Sequence, residues 1–323
     1  MAERSIEAPG GYAEAKERAA YIVRPGRRFL RVHGRDPLKM VQGLITNDLA
    51  GAPPDRAVYA AMLTPKGRMI ADMRLIRRGT DVLIESDATA ADNIAANLKK
   101  FVPPLFAKSE DVSDRFGILT VVGPDAARTV ERAIGAQVSA ERDVMVEAGD
   151  LLTIGARDVP GAIDVIGPPE RVDALGDELA HAGVAPLDAR ALKTLRIEAG
   201  VPAWGAELDE SVIPLEAGLR NDLISETKGC YTGQEVIIRI LHRGHVNRHL
   251  RGLLLGDHRP PDRETPLFNA DGKNVGLITS AAVSPARQQT IALAYVRREV
   301  VPPAELRLGD ANGPAVEVIE LPF

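Results

Sequence analysis

Cysteine is almost absent from the sequence, because Cys230 is the only one among 323 residues. A single cysteine excludes an intramolecular disulfide and any multi-cysteine metal or cluster site within one chain. A chain without disulfides is typical of a reducing compartment, so we expect a cytoplasmic protein.

Long hydrophobic runs and targeting signals are also missing. No stretch approaches about 18 uninterrupted apolar residues, the length that a membrane-spanning helix needs. Residues 1–20 contain Glu3, Glu7, Glu14 and Glu17 and no apolar run of signal-peptide length. This composition fits neither a secretion signal nor an acid-poor transit peptide. We therefore expect a soluble protein whose first 20 or so residues are loosely structured.

Aromatic side chains and excess positive charge are scarce as well. Aromatic residues make up 4% of the chain, and its net charge is -5. Direct nucleic-acid binding is therefore not expected. The hydrophobic content of 45% comes mainly from aliphatic residues and is enough for the cores of two or three domains.

Residues 20–115 predict an N-terminal α+β subdomain. Asp36-Pro37 is typical of a helix start, and Asp87 can cap a second helix. Strand-like runs occur at Tyr59–Thr64, Met69–Ile76 and Asp81–Ser86. Pro65-Lys66-Gly67 joins the first two runs as a turn, which predicts a hairpin.

Residues 116–190 predict a second α+β unit with the order strand, helix, strand, strand, helix. Its elements are expected at Phe116–Val122, 125–134, Leu151–Gly155, Ala162–Ile166 and after Pro168-Pro169. This order indicates a ferredoxin-like layer. A further helix is expected from Asp188 to about Ala199, and residues 191–249, with most of this helix and the segment Lys228–Glu235, are expected to complete the core of the ligand site.

Residues 250–323 predict a small all-β barrel or sandwich, because short strands follow one another without a helical pattern. The predicted strands are Leu250–Leu255, Lys273–Val283, Thr290–Val296, Glu305–Leu308 and Ala315–Leu321. The fold class expected from the whole sequence is therefore α+β with a C-terminal β domain.

The segment Lys228–Glu235 is the strongest candidate for chemistry. Cys230 lies between Gly229 and Tyr231, and the Lys228 ammonium two residues away would favour the reactive thiolate. Gln234 adds an amide group close by. The alternative is that Cys230 is an inert buried hydrophobe, as single cysteines commonly are.

A basic run follows this segment and includes Arg243. Its members are Arg239, His242, Arg243, His245, Arg248, His249 and Arg251. The run could receive an anionic ligand tail or a phosphate, or it could be a solvated strand edge and loop. Although the histidines resemble metal ligands in their spacing, Gly244 interrupts the helical pattern, and we predict no metal site.

Two acidic residues are further candidates. Glu198 ends a predicted helix, where the helix dipole disfavours a carboxylate. A ligand with paired N–H donors, such as a pterin, would account for Glu198, and a salt bridge with Arg196 is the alternative. Asp72 stands in an apolar strand, either as a buried functional acid or as an outward-facing residue of an alternating strand.

The octapeptide Lys228-Gly229-Cys230-Tyr231-Thr232-Gly233-Gln234-Glu235 resembles the signature of the YgfZ family. Other segments are similar to the wider superfamily that includes the glycine-cleavage T-protein. These segments are Gln42–Asp48, Leu63–Arg68, Arg196–Pro202 and Pro214–Leu219. Together the similar segments span roughly residues 25 to 255.

The resemblance implies a T-protein-like ring of α+β subdomains with a tetrahydrofolate site at its centre and a β-barrel that completes it. It also implies site residues. Cys230, Lys228 and Asp72 are expected to be catalytic, and Glu198, Tyr231, Gln234 and Arg243 are expected to bind the cofactor.

The resemblance further implies an accessory factor for assembly, insertion or repair of iron–sulfur clusters, with iron–sulfur client proteins, including tRNA-modifying enzymes, as partners. The alternative is a folate-dependent aminomethyltransferase of the T-protein type. The T-protein carries an Asp-Asp pair where this chain has Ala71-Asp72. This departure, together with the cysteine signature that the T-protein lacks, favours the accessory factor.

Overall fold

A computed structural model describes residues 8–323 of the chain. Its α-helices are α1 Tyr12–Glu17, α2 Pro37–Gln42, α3 Ala88–Phe101, α4 Ala126–Ile134, α5 Pro169–His181, α6 Ala189–Glu198, α7 Arg220–Leu223 and α8 Gln234–Arg243. Short 3-10 helices lie at Ser113–Arg115 and Pro214–Ala217. None of the helices in this described part is long and apolar enough to cross a membrane.

The β-strands form two sheets and a barrel. They are β1 Ala20–Val23, β2 Arg27–Gly34, β3 Val58–Leu63, β4 Met69–Arg78, β5 Asp81–Asp87, β6 Ala107–Asp111, β7 Gly117–Val122, β8 Met145–Ala148, β9 Leu151–Gly155, β10 Ile163–Gly167, β11 Ala185–Pro186, β12 Arg248–Leu254, β13 Pro266–Phe268, β14 Asn274–Ser284, β15 Gln289–Arg297, β16 Ala304–Leu308 and β17 Ala315–Ile319.

The first sheet has the strand order β3-β4-β5-β2-β6 and is antiparallel. The predicted hairpin is confirmed, and Ala61 pairs with Asp72 across it. Helix α3 packs on this sheet, and its predicted cap is also confirmed, because the Asp87 carboxylate accepts the Thr89 N–H. The helix predicted after Asp36 ends at Gln42.

The second sheet has the order β11-β1-β7-β10-β9-β8, with α4 and α5 packed on it. Strand β1 joins this sheet although it precedes the first sheet in sequence, because Ala20 pairs with Val122. The prediction of a loose N-terminus is wrong for residues 12–17, which form α1 around the buried Tyr12 and Ala15. Residues 1–7 lie outside the described part of the chain.

The C-terminal strands close into a barrel in the order β12-β15-β14-β13-β16-β17. The five strands predicted from the sequence are confirmed, and the short β13 was missed. Helix α6 packs on β14 of the barrel, where Arg196 contacts Ser280 and Glu207. The expected fold class, α+β subdomains followed by a β-barrel, is confirmed, while the exact domain limits stay predictions.

Candidate functional site

A cavity of about 460 Å³ lies where the two sheets, the segment after α6 and the barrel meet. The first sheet contributes Tyr59 and Asp72, and the loop after β9 contributes Arg157 and Asp158. Residues 199–204 and the barrel strand β12 line the remaining wall. The cavity therefore receives side chains from both sheets and from the barrel, and we call it the central cavity.

Asp72 is half-buried in the cavity wall. Its neighbours Ala71 and Met73 are buried in the core of the first sheet, so strand alternation turns Asp72 to the other face. The Tyr59 hydroxyl donates a hydrogen bond of 2.7 Å to Asp72 Oδ2. Burial raises the pKa of Asp72, although the Tyr59 hydrogen bond and the Arg27 charge oppose this effect. The raised pKa is a property expected of a carboxyl group that transfers protons.

Tyr59 is held in place by Arg157. The Arg157 guanidinium lies 4.0 Å from the centroid of the Tyr59 ring. Arg157 also forms ion pairs with Asp143 and with Asp222, the latter at 3.4 Å. Because the side chain of Arg157 is only 13% exposed, these contacts fix it firmly. The orientation of Asp72 thus depends on residues from both sheets and from α7.

A buried ion network forms the floor of the cavity between the two sheets. Arg74 donates to Glu85 at 2.9 Å and to Asp164 at 2.8 Å, and the Thr120 hydroxyl donates to Asp164 at 2.6 Å. Arg27 also pairs with Glu85. Burial alone would raise the pKa of Glu85, but the charges of Arg27 and Arg74 hold it at about 2. These groups are fully engaged with one another.

Lys228 is buried, and its ammonium points into the loop after α2. Its Nζ donates to the main-chain carbonyls of Gln42, Ile45 and Asn47 at 2.6, 2.7 and 3.0 Å. Burial lowers the pKa of Lys228 to about 8. The residue therefore anchors its own segment to the loop Gln42–Asn47 of the first subdomain.

Cys230 is exposed on the surface, and its side chain lines none of the three cavities described in this section. Tyr231 beside it is buried, and its hydroxyl has no hydrogen-bond partner among residues 8–323. Helix α8 then begins at Gln234 and ends at the exposed Arg243. The alternative that Cys230 is a buried hydrophobe is wrong, because the residue is exposed to solvent.

Glu198 lies away from the central cavity. Its Oε1 accepts hydrogen bonds from the hydroxyls of Tyr12 at 2.5 Å and Ser284 at 2.6 Å, and Lys16 lies 3.5 Å from Oε2. Glu198 lines a separate, shallow cavity of about 480 Å³ beside Lys16 and Phe323. The alternative partner Arg196 binds Glu207 instead.

Of the seven site residues predicted from the sequence, Asp72 is the one that lines the central cavity. The structure does not bring Glu198 and Cys230 together there. An apolar groove of about 510 Å³ between α3 and β6 contains none of the seven. No group of three His, Cys, Asp or Glu side chains in the described part of the chain could hold a metal ion.

Sequence reasoning missed the other polar residues of the cavity. Tyr59 could have been found, because it lies two residues from Ala61, which pairs with Asp72, and is therefore a diagonal neighbour of Asp72 on the same face of the sheet. Arg157 and Asp158 give no such local signal. They reach the cavity because the second sheet packs against the first.

Comparison with known proteins identifies the same fold and family. Residues 27–156 match the GCVT N-terminal domain, and residues 248–323 match the glycine cleavage T-protein C-terminal barrel domain. An aminomethyltransferase T of the glycine cleavage system from Bartonella henselae superimposes with a TM-score of 0.86 at 20% identity. The superposition covers 97% of this chain and 88% of the Bartonella henselae chain. At this sequence identity it shows the fold alone.

Two bacterial relatives are similar over most of their length. The aminomethyltransferase of Geobacillus kaustophilus is 31% identical over 281 residues, which are 83% of this chain and 76% of that protein. The aminomethyltransferase of Rubrobacter xylanophilus is 28% identical over 297 residues, or 90% of this chain and 79% of that protein.

These names overturn the first functional hypothesis. An iron–sulfur accessory factor with iron–sulfur client proteins, including tRNA-modifying ones, was expected, whereas the relatives are aminomethyltransferases. The octapeptide favoured the accessory factor, whereas the similarity of the whole chain favours the aminomethyltransferase alternative. By its domains and by its similarity to these relatives, the chain belongs to the glycine-cleavage T-protein family.

Proposed function

We propose that the chain is a tetrahydrofolate-dependent one-carbon transferase of the aminomethyltransferase type, and that the reaction takes place in the central cavity. One observation carries the proposal. The Asp72 carboxyl group lines the cavity, is held by Tyr59 at 2.7 Å and has a raised pKa. The name shared by the relatives supplies the reaction class.

The cavity suits a folate in size and in chemistry. Its volume of about 460 Å³ falls within the range of roughly 300–1,000 Å³ that is usual for small-molecule sites. Trp204 and Leu250 give it an apolar wall for a ring system. Arg251 lines the same cavity, and its buried Nε has no hydrogen-bond partner among the described residues. An amide or carboxylate oxygen of a folate would accept this N–H.

Tetrahydrofolate is the one-carbon carrier of this family, as the sequence resemblance implies, and it supplies the nitrogen that accepts the one-carbon unit. That nitrogen loses a proton as it bonds to carbon, and the amine that leaves the donor gains one. Asp72 can accept the first proton and deliver the second, because a raised pKa makes its carboxylate a stronger base than an ordinary aspartate. A single carboxylate is sufficient for this route, so the missing half of the acidic pair does not exclude transfer.

The test compares the purified protein with its Asp72→Asn variant in tetrahydrofolate, with methylamine-type compounds as one-carbon donors. Removing a general acid or base should lower turnover by about 100-fold or more. Folate affinity, measured by calorimetry, should change by less than about threefold, since the amide keeps the shape of the side chain. Turnover that survives in Asp72→Asn, or a wild type inactive with every donor, would refute the proposal.

Asp81→Asn is the matched control for this test. Asp81 lies on β5 of the same sheet and pairs with Arg31, and it does not line the cavity. Turnover of this variant should equal that of the wild type. A loss in both variants would mean that the assay reports damage to the sheet rather than proton transfer.

Further sequence expectations stay predictions. Membership of the YgfZ branch rests on the octapeptide alone, and a cytoplasmic location rests on the single cysteine. Lys228, Cys230, Tyr231 and Gln234 are retained as a proposed site at the start of α8, where Cys230 is exposed while Lys228 and Tyr231 are buried. Cys230→Ala in the same assay tests it: lost turnover would support the site, and full turnover would remove Cys230 from the reaction.

A further inference from the structure

The apolar groove between α3 and β6 lies on the opposite face of the first sheet from Asp72. Its floor is aliphatic and is formed by Val32, Ala95, Leu98, Val102 and Ala107. Val32 and Leu98 belong to the core that α3 covers, whereas Asp72 faces away from that core. The groove is therefore separate from the central cavity, and the proposed reaction does not use it.

Strand β6 forms one edge of the first sheet, because its one partner strand in the described part of the chain is β2. The Val112 N–H donates to the Phe29 carbonyl oxygen at 2.9 Å just after β6 ends. Hydrogen-bonded pairs alternate along an antiparallel ladder, so Glu110 and Lys108 are the residues of β6 that bond to β2. The N–H and C=O of Ser109 consequently point away from β2, beside the groove that Ser109 also lines. This edge can therefore accept a further strand.

Two large apolar side chains are exposed where α3 turns into β6. Leu105 is 75% exposed and Phe101 is 48% exposed, and Pro104, which lies between them in sequence, lines the groove. The other exposed large hydrophobic side chains of residues 8–323 lie on β1, on β14 and after β15. Exposed apolar side chains that cluster beside an apolar groove are typical of an interaction surface.

The rim of the groove is positively charged, although the net charge of the chain is -5. Lys99 on α3 and Lys108 on β6 line the groove from its two sides, and Lys100 follows on α3. All three lysines are exposed, and none forms an ion pair with another residue of the described chain. Glu110 of β6 pairs with Arg31 at 3.2 Å instead of with Lys108. The charge of the rim therefore complements an acidic partner.

The edge strand, the apolar floor and the lysines together select an extended peptide as the occupant. A lipid surface would match the lysines and the apolar side chains but not the main-chain groups of Ser109. A second copy of the chain would place two lysine-rich edges against each other, and like charges across a strand pair are destabilising. The helix dipole favours lysines at the end of α3, and edge protection favours Lys108, but neither accounts for the apolar floor between them.

We propose that this groove binds an extended, acidic segment of a partner protein, which adds a strand to the β6 edge and inserts an aliphatic side chain between α3 and β6. Main-chain hydrogen bonds with Ser109 fix the register of the segment, and Lys99 and Lys108 attract its carboxylates. This inference goes beyond the proposed function, since the groove shares no lining residue with the central cavity.

The test is fluorescence anisotropy with a labelled peptide of about nine residues in which leucine alternates with aspartate or glutamate. Wild type should bind this peptide, less tightly as the salt concentration rises, and should not bind a peptide with lysine at the acidic positions. Reversing the charge of Lys99 and Lys108 together to Glu should weaken binding roughly tenfold or more, because two attractions become repulsions. Ser109→Pro removes the outward N–H, keeps the bonds between β6 and β2, and should weaken binding roughly fivefold.

Lys273→Glu is the matched control for charge, because Lys273 is exposed directly before β14 of the barrel and lies outside the groove. It should bind the peptide as the wild type does. Thermal unfolding checks that each variant is folded, and the charge reversal alone decides the test if Ser109→Pro is not. Turnover with tetrahydrofolate should be unchanged in every groove variant, so this test and that of the proposed function fail separately.

Three results would overturn the inference. The first is a wild type that does not bind the acidic peptide at about 1 mM, or groove variants that bind it as tightly as the wild type. The second is binding to phosphatidylserine vesicles in place of the peptide, which would make a lipid surface the occupant. The third is a dimer in solution that Ser109→Pro dissociates, which would make the occupant a second copy of the chain.

Discussion

The buried network around Arg74 gives a quantitative prediction for stability. Arg74 joins the two sheets, and its side chain is 5% exposed against 4% for Asp164. In Arg74→Met, Glu85 keeps Arg27, but Asp164 keeps only the Thr120 hydroxyl. An uncompensated buried charge of this kind costs about 3–5 kcal/mol of unfolding free energy.

Urea unfolding followed by circular dichroism and by the fluorescence of the single tryptophan, Trp204, measures this loss. The matched control is Arg78→Met, because Arg78 lies on the same strand and pairs with Glu147 of the second sheet. That pair is 38% and 72% exposed, so its loss should cost less than about 1 kcal/mol. Adding Asp164→Asn to Arg74→Met should recover about 1 kcal/mol or more. Equal losses in the two single variants would refute the reasoning.

Three further variants test the site and its surroundings. Ionised Asp72 must accept a proton, so turnover should fall as pH drops through its raised pKa. In Tyr59→Phe, which removes a hydrogen bond that lowers this pKa, the fall in the pH–rate profile should begin at higher pH. Gly233→Ala should lose about 1–3 kcal/mol in urea unfolding, because φ is +85° and the new Cβ would lie 2.5 Å from the Thr64 carbonyl oxygen. Lys228→Met should lower the unfolding free energy by about 2–4 kcal/mol in the same assay, since three carbonyls lose their donor. Unchanged stability together with lost turnover would instead make Lys228 a catalytic residue.

Much of the fold could be predicted because its signals are local. Asp87 marks the start of α3, and the turn Pro65–Gly67 joins β3 to β4. The barrel strands were also found from alternation and turns. Helix α8 was missed because its β-branched residues favour a strand, whereas the helix buries Ile237 and places Val236 against the Gly67 turn. Local propensity gave no hint of that contact.

The site was harder to predict than the fold. Asp72 could be found as an acid in an apolar strand, but Arg157 and Asp158 reach the cavity only through the packing of two sheets. Lys228 and Cys230 are two positions apart in sequence yet have different surroundings. The Lys228 ammonium donates to buried main-chain carbonyls, whereas Cys230 is exposed. The sequence shows neighbours along the chain, and only the fold shows which side chains share a cavity.

The most direct measurement is a crystal structure of the protein with tetrahydrofolate. We expect the ring system in the central cavity, where the ring or a reacting group attached to the ring lies within hydrogen-bonding distance of Asp72. A ring that occupies the shallow cavity beside Glu198 and Phe323, or the surface next to Cys230, would contradict the assignment of the reaction to Asp72.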